Sequence, residues 1–193
     1  MSRDDQIRWD RQYAERQTKQ DAALFLRAIF ESQHWDVPAG RALDIACGSG
    51  RNALFLAEKG FEITGVDISA VALALAEQRA QQKSLSILWR QADLENYTIE
   101  AAAYDLIVNI DYLQRSLLPA ITAALKLGGF VIFETYLIDQ QTIGHPNNPD
   151  YLLQHNELLR YFPDFRVLYY REGKVFSSGA PSFRAGIFAQ KIR

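Results

Sequence analysis

The chain is poor in sulfur: its 193 residues include one cysteine, Cys47, and one methionine. A lone cysteine forms no internal disulfide and supplies no metal-ligating cluster, which suits a protein of the reducing cytoplasm that carries no metal. No apolar run approaches the roughly 20 residues that a membrane helix needs. The opening Met1-Ser2-Arg3-Asp4-Asp5-Gln6 is polar with no apolar stretch behind it, unlike a secretory signal. A basic excess is also missing. Lys and Arg number 21 against 23 Asp and Glu, a net charge of −2, which argues against a nucleic-acid backbone as partner. Internal repeats and low-complexity segments are absent. What is present is 48% hydrophobic residues in a length that suits one domain of ordinary size.

Residues 1–17 read as charged and irregular, with Trp9 and Tyr13 spaced to share a helical face. Thr18 is placed to cap a helix carrying Leu24, Phe25, Ala28 and Ile29, with Asp21 as its capping-box partner. Pro38 and Gly40 end this opening segment. Strands and helices then alternate. The pattern predicts strands at 41–46, 61–67, 85–90, 104–110 and 130–136. The helices between them fall at 51–59, from Ser69 to about Gln82, and at 114–127. After residue 138 the pattern changes to a loop over 144–150, a helix at 151–161 and two strands near 165–171 and 183–191. Such alternation predicts an α/β fold: a doubly wound, mostly parallel seven-stranded sheet of Rossmann-like type with helices on both faces. The last two strands have no helix between them, so a hairpin makes one edge strand antiparallel.

The chemistry concentrates at Leu43-Asp44-Ile45-Ala46-Cys47-Gly48-Ser49-Gly50 and at Gly65-Val66-Asp67. A strand runs into a glycine turn that opens a helix, and a carboxylate closes the next strand. In an open α/β sheet, ligands bind outside the carboxyl ends of the strands where strand order reverses. Glycines let backbone approach a ligand, and the following helix aims its N–H groups at the turn. Asp67 is placed for both hydroxyls of a ribose, and Asp93 for an exocyclic adenine amine. Gly48-Ser49-Gly50-Arg51-Asn52-Ala53 also satisfies the G-x-G-x-x-G/A dinucleotide pattern, so a nicotinamide-dependent oxidoreductase is a competing reading. Asp44 opposes it, because a carboxylate before the turn repels a pyrophosphate and suits an ammonium or sulfonium.

These motifs resemble those of class I S-adenosylmethionine (SAM)-dependent methyltransferases. Asp44 through Gly50 is similar to the first motif, with Ala46 in place of its first glycine. Gly65-Val66-Asp67-Ile68-Ser69 is similar to the second, Gln91-Ala92-Asp93-Leu94 to the third, Tyr104–Asn109 to the fourth strand, and Leu127-Gly128-Gly129 to the turn into the fifth. The resemblance covers residues 37–136. Trp9-Asp10-Arg11-Gln12-Tyr13 and Gly50-Arg51-Asn52 further resemble the tellurite-resistance-type and thiopurine-type small-molecule enzymes. The resemblance implies a cofactor set of Trp9, Tyr13, Asp44, Ala46, Cys47, Gly48, Asp67, Ile68, Ala92, Asp93, Leu94 and Asn109, the last through its backbone carbonyl. It implies one domain over 1–193, with 1–36 as an N-terminal cap and 137–163 as a substrate lid. The methyl acceptor would be a small molecule, and the protein a cytoplasmic monomer or homodimer.

Methyl transfer from a sulfonium is an in-line displacement that needs alignment first and a base only if the nucleophile arrives protonated. The catalytic candidates are Asp111, Tyr112, Glu134 and His145. Each has a plainer alternative: Asp111 as a helix-start residue, Tyr112 as core packing, Glu134 as a paired buried acid, His145 as a solvated loop residue. His155 is a weaker candidate, and Cys47 reads as a small buried filler. Tyr151, Leu152, Leu153, Leu158 and Leu159 line an apolar pocket or pack on the sheet. Without a convincing base, a SAM-binding module lacking catalysis is a third reading.

Overall fold

The computed structural model describes residues 3–15, 18, 20–32, 34–177 and 180–193. Two helices, α1 (Arg3–Glu15) and α2 (Leu24–Glu31), precede β1 (Arg41–Ile45), α3 (Arg51–Glu58), β2 (Glu62–Asp67), α4 (Ala70–Gln82), β3 (Leu88–Gln91) and β4 (Tyr104–Ile110). Then come α5 (Leu118–Ala124), β5 (Leu125–Tyr136), α6 (Glu157–Tyr161), β6 (Phe165–Ser177) and β7 (Ala180–Lys191). The seven strands form one sheet in the order β3-β2-β1-β4-β5-β7-β6. The first five run parallel, and β7 runs antiparallel to both β5 and β6. The reversed strand therefore lies one place in from the edge, with its hairpin partner β6 outside it. Strand order reverses between β1 and β4, which opens a crevice at their carboxyl ends.

Side chains alternate across the sheet as a period of two requires. Leu43, Ile45, Ile107, Val131, Phe133 and Ile187 pack in one core with α5 and α6. Ala42, Leu106, Val108, Phe130, Ile132 and Phe188 pack in the other with α2 and α3. Three of the expected pocket leucines, Leu152, Leu153 and Leu158, are fully buried, whereas Tyr151 and Leu159 are partly exposed. Arg115 fastens this segment. It donates to the carbonyls of Asp150 and Leu152 at 2.9 and 2.7 Å and pairs with the buried Glu157 at 2.6 Å.

Several expected elements are corrected. Residues 3–15 form a helix, although none of its residues is buried. Helix α2 begins at Leu24, and Thr18 does not cap it. The Thr18 hydroxyl instead meets Arg79, and the Ala23 N–H is met by Asn52 Oδ1 at 2.9 Å. The expected helix at 114–127 is a short 3-10 turn and α5, which stops at Ala124 because Leu125 already pairs with Tyr104. Lys191 Nζ binds the carbonyls of Thr122 and Leu125 at this helix end. Residues 151–161 are α-helical only from Glu157, with Tyr151 ending a 3-10 turn. The last two strands are longer than expected, at 13 and 12 residues.

Candidate functional site

The turn after β1 is built from left-handed backbone: Ala46, Gly48 and Gly50 have φ of 52°, 54° and 81°. Glycine is needed at two of these positions for space as well as conformation. A Cβ on Gly50 would lie 2.8 Å from the Trp89 ring and 2.9 Å from Ala76, and one on Gly48 would collide with the Tyr13 hydroxyl. Ala46 adopts the same region with a side chain, at a cost of about 1–2 kcal/mol. Gly50 then leads directly into α3.

Asp44 lies beneath this turn, 1% exposed. Its Oδ2 is buried without a partner. Burial raises the Asp44 pKa to about 7, while Arg51 and the Ala53 backbone N–H at the start of α3 pull it down. A carboxylate in that condition is a ready acceptor for a cation. Asp67 ends the neighbouring strand and takes the N–H of Gly48 on Oδ2 at 2.7 Å and that of Ser69 on Oδ1 at 2.9 Å. Its pKa is also raised, by burial, although these N–H groups pull it down. Two backbone bonds hold the carboxylate still and leave each oxygen a second lone pair for a ligand hydroxyl.

The other expected cofactor residues ring the same strand ends. Cys47 is buried in the turn, and burial pushes its thiol well above the usual range, so it fills space rather than acting as a nucleophile. Ile68 and Leu94 are buried, and Ala92 donates its N–H to the Asp67 carbonyl at 3.0 Å. Asp93 accepts from the Glu95 N–H and the Asn96 amide at 3.0 and 3.2 Å, which shapes the loop after β3. The Asn109 side chain donates to the Tyr112 carbonyl at 2.7 Å and so holds the turn after β4. Helix α1 crosses this region. Tyr13 stands over Gly48, Trp9 lies 6.1 Å from Tyr13, and Asp10 accepts from the Ser69 hydroxyl at 2.6 Å and from the Val71 N–H.

Of the catalytic candidates, three lie near the strand ends. Tyr112 is half-buried and donates to Gln114 Oε1. Asp111 does not start a helix, because the next helical turn begins at Arg115. It sits instead at φ 65° and bridges two guanidiniums, Arg184 at 2.6 Å and Arg51 at 2.9 Å. Glu134, 3% exposed, pairs with Arg171 at 2.5 Å and Arg184 at 3.6 Å. Both carboxylates are thus engaged by cations, which suits positioning better than proton removal. His145 is exposed on its loop. His155 is exposed too and pairs with Asp139 at 2.6 Å, which raises its pKa.

Reading the residues in order missed Arg171 and Arg184, and it gave Arg51 no role. Arg184 had a visible signal: it stands alone as a charge in the run Phe183 to Ala189 of β7. The register explains the set. Glu134, Gly186 and Arg171 are direct neighbours across β5, β7 and β6, and the absent side chain of Gly186 lets Arg171 reach Glu134 over it. Phe25 closes the gap from above, with the Arg171 guanidinium 4.8 Å from its ring. One step along, Arg184 is opposite Tyr136 and lies 4.1 Å from that ring's centre.

A reversing parallel sheet, a glycine turn and an acid on each of the first two strands define the Rossmann-like methyltransferase fold. Residues 42–129 match the family model described as a methyltransferase domain. TehB from Haemophilus influenzae superposes with a TM-score of 0.69 at 23% identity, over 78% of this chain and 57% of that one. A SAM-dependent methyltransferase from Methanosarcina mazei gives 0.67 at 19% identity, over 89% and 99%. These likenesses speak to the fold. In sequence, a ubiquinone biosynthesis O-methyltransferase from Nitrosococcus oceani is 31% identical over 116 residues, 57% of this chain and 49% of its own length. The chain spans about half the length of the curated relatives it matches.

Proposed function

We propose that this chain transfers a methyl group from S-adenosylmethionine to a small-molecule acceptor. The observation that carries the reading is Asp44: a buried carboxylate under a glycine turn, with one oxygen unpartnered. That donor set fits a ligand with an ammonium and a sulfonium and opposes one with a pyrophosphate. Asp44 would answer the ammonium, Asp67 the ribose hydroxyls and Asp93 the adenine amine. Ile68 and Leu94 offer apolar surface to the base, while Ala46, Cys47, Gly48, Ala92 and Asn109 complete the walls through backbone. Tyr13 and Trp9 would cover the site from α1, and residues 137–163 would border the acceptor. When bound, the cofactor supplies an already activated methyl carbon. The chain's share is then to exclude water and align the acceptor. Methylation of small molecules agrees with the name of the Nitrosococcus relative, a ubiquinone biosynthesis O-methyltransferase. Among the described residues no helix is long and apolar enough to cross a membrane. The charge balance suits neither nucleic acid nor an anionic membrane surface, and the single cysteine suits the cytoplasm, where a monomer or homodimer would act.

Calorimetric titration with S-adenosylhomocysteine and with NAD tests the reading. The adenosyl ligand is expected to bind and NAD is not, and preference for NAD would overturn the assignment. Asp67→Ala is expected to weaken adenosyl binding at least tenfold while the circular dichroism of the fold is unchanged. Tight binding with no methyl consumption by any acceptor would favour a non-catalytic SAM-binding module.

A further inference from the structure

The charged cluster at the carboxyl ends of β4 and β5 is not needed to hold an adenosyl cofactor. Within it, the guanidiniums of Arg51, Arg171 and Arg184 pair with the carboxylates of Asp111 and Glu134, and Arg51 also donates to the Asp21 carbonyl at 3.5 Å. Arg184 is 5% exposed, is held flat against Tyr136, and is fixed at Nε by the Ser182 hydroxyl. Arg51 opens α3 directly after the glycine turn, so the pair stands beside the place where the turn would present a cofactor. Asp111 shows which shape the pair accepts. Its carboxylate spans Arg51 and Arg184 with one oxygen on each, at 2.9 and 2.6 Å, and its side chain is 29% exposed. Two rigid guanidinium forks converging on one carboxylate form a recognition element for planar oxyanions.

We propose that Arg51 and Arg184 bind a carboxylate of the methyl acceptor, so that the substrate class is small carboxylic acids. The proposal rests on the methyl-transfer reading of the same site. Asp44 answers the cofactor's cation, and the acceptor's anion enters beside Asp111 onto the guanidiniums of Arg51 and Arg184. The anionic end is thereby anchored at the strand tips while the nucleophilic atom elsewhere on the acceptor is left free to face the methyl carbon.

The test uses benzoate and its neutral isostere benzamide as probes, each titrated with and without saturating S-adenosylhomocysteine. Benzoate is expected to bind at least about tenfold more tightly than benzamide, and Arg51→Gln and Arg184→Gln are each expected to abolish that difference. Asp111→Asn keeps a residue tolerant of left-handed backbone and removes the competing internal anion, so it is expected to tighten benzoate severalfold. A merely structural role for the ion cluster predicts the opposite for Asp111→Asn. Equal binding of benzoate and benzamide, or an Asp111→Asn variant that binds benzoate no better than wild type, would overturn the proposal. Binding of S-adenosylhomocysteine is measured separately in every variant, so loss of the cofactor reading is distinguished from loss of the carboxylate site.

Discussion

Asp44 is the residue with the largest electrostatic consequence. Its ordinary pKa of 3.8 is raised to about 7 because burial removes water from the carboxylate faster than Arg51 and the Ala53 N–H replace it. The folded state therefore binds more protons than the unfolded chain between those two values, and stability falls as pH rises through that window. Asp44→Asn is expected to remove this loss. In urea titrations at pH 5 and pH 8 the wild type should be more stable at the lower pH, and the difference should be smaller in the variant, with Asp67 and His155 still contributing in the same direction. A variant that retains the wild-type slope would show that another group titrates. A bound cation would lower the Asp44 pKa, so binding of S-adenosylhomocysteine near pH 6.5 should release protons. Calorimetry in two buffers of different ionisation enthalpy measures that release.

Among the elements, β4 is observed over the predicted span, and α4 is observed capped by Ser69 as predicted. Buried parallel strands read clearly because nearly every side chain is apolar, and a Ser cap is a local interaction. Helix α1 was not legible as an element because its stability is not local. Its residues are all at least partly exposed, and its anchors are Asp10 on the start of α4 and Tyr13 over Gly48. The start of α2 was misplaced for a similar reason, since the Ala23 N–H just before it is met by Asn52, 29 residues away. At the β5–β7–β6 edge, Gly186 is predicted to be the sensitive position. An added Cβ would stand 2.8 Å from the buried ring of Phe25, which is itself packed on Arg171. Gly186→Ala is expected to destabilise by about 1–3 kcal/mol and to raise the exposure of the Glu134–Arg171 pair. Chemical denaturation reads the first effect, and wild-type stability in the variant would refute the packing argument.

For the whole molecule, one sheet carries two cores on opposite faces, and the crevice lies where its strand order reverses. A ligand bound there contacts the tips of several strands that unfolding would separate. S-Adenosylhomocysteine at about 100 times its dissociation constant is expected to add about 2.7 kcal/mol of stability. For a chain of this size that corresponds to a rise in melting temperature of roughly 5–10 °C. NAD at equal concentration is expected to leave the melting temperature unchanged, and a differential thermal scan compares the two.

The amino-acid order by itself determined the alternation of strands and helices, the glycine turn, and the acids at the tips of the first strands. Each is written in neighbouring residues, as a period of two, a missing side chain or a charge in an apolar run. Only the tertiary structure decided which of those acids are paired. Asp111 and Glu134 read alike in sequence as acids near strand ends, and they became an arginine-held cluster because β7 folds back beside β5 and carries Arg184 to them. Asp44 stayed without a full set of partners for the opposite reason: its place inside β1 is shut off from water, and no such strand was brought to it. Pair energies depend on distance in space, and separations of 37 and 73 residues along the chain leave no local trace of a 2.5 or 2.6 Å contact.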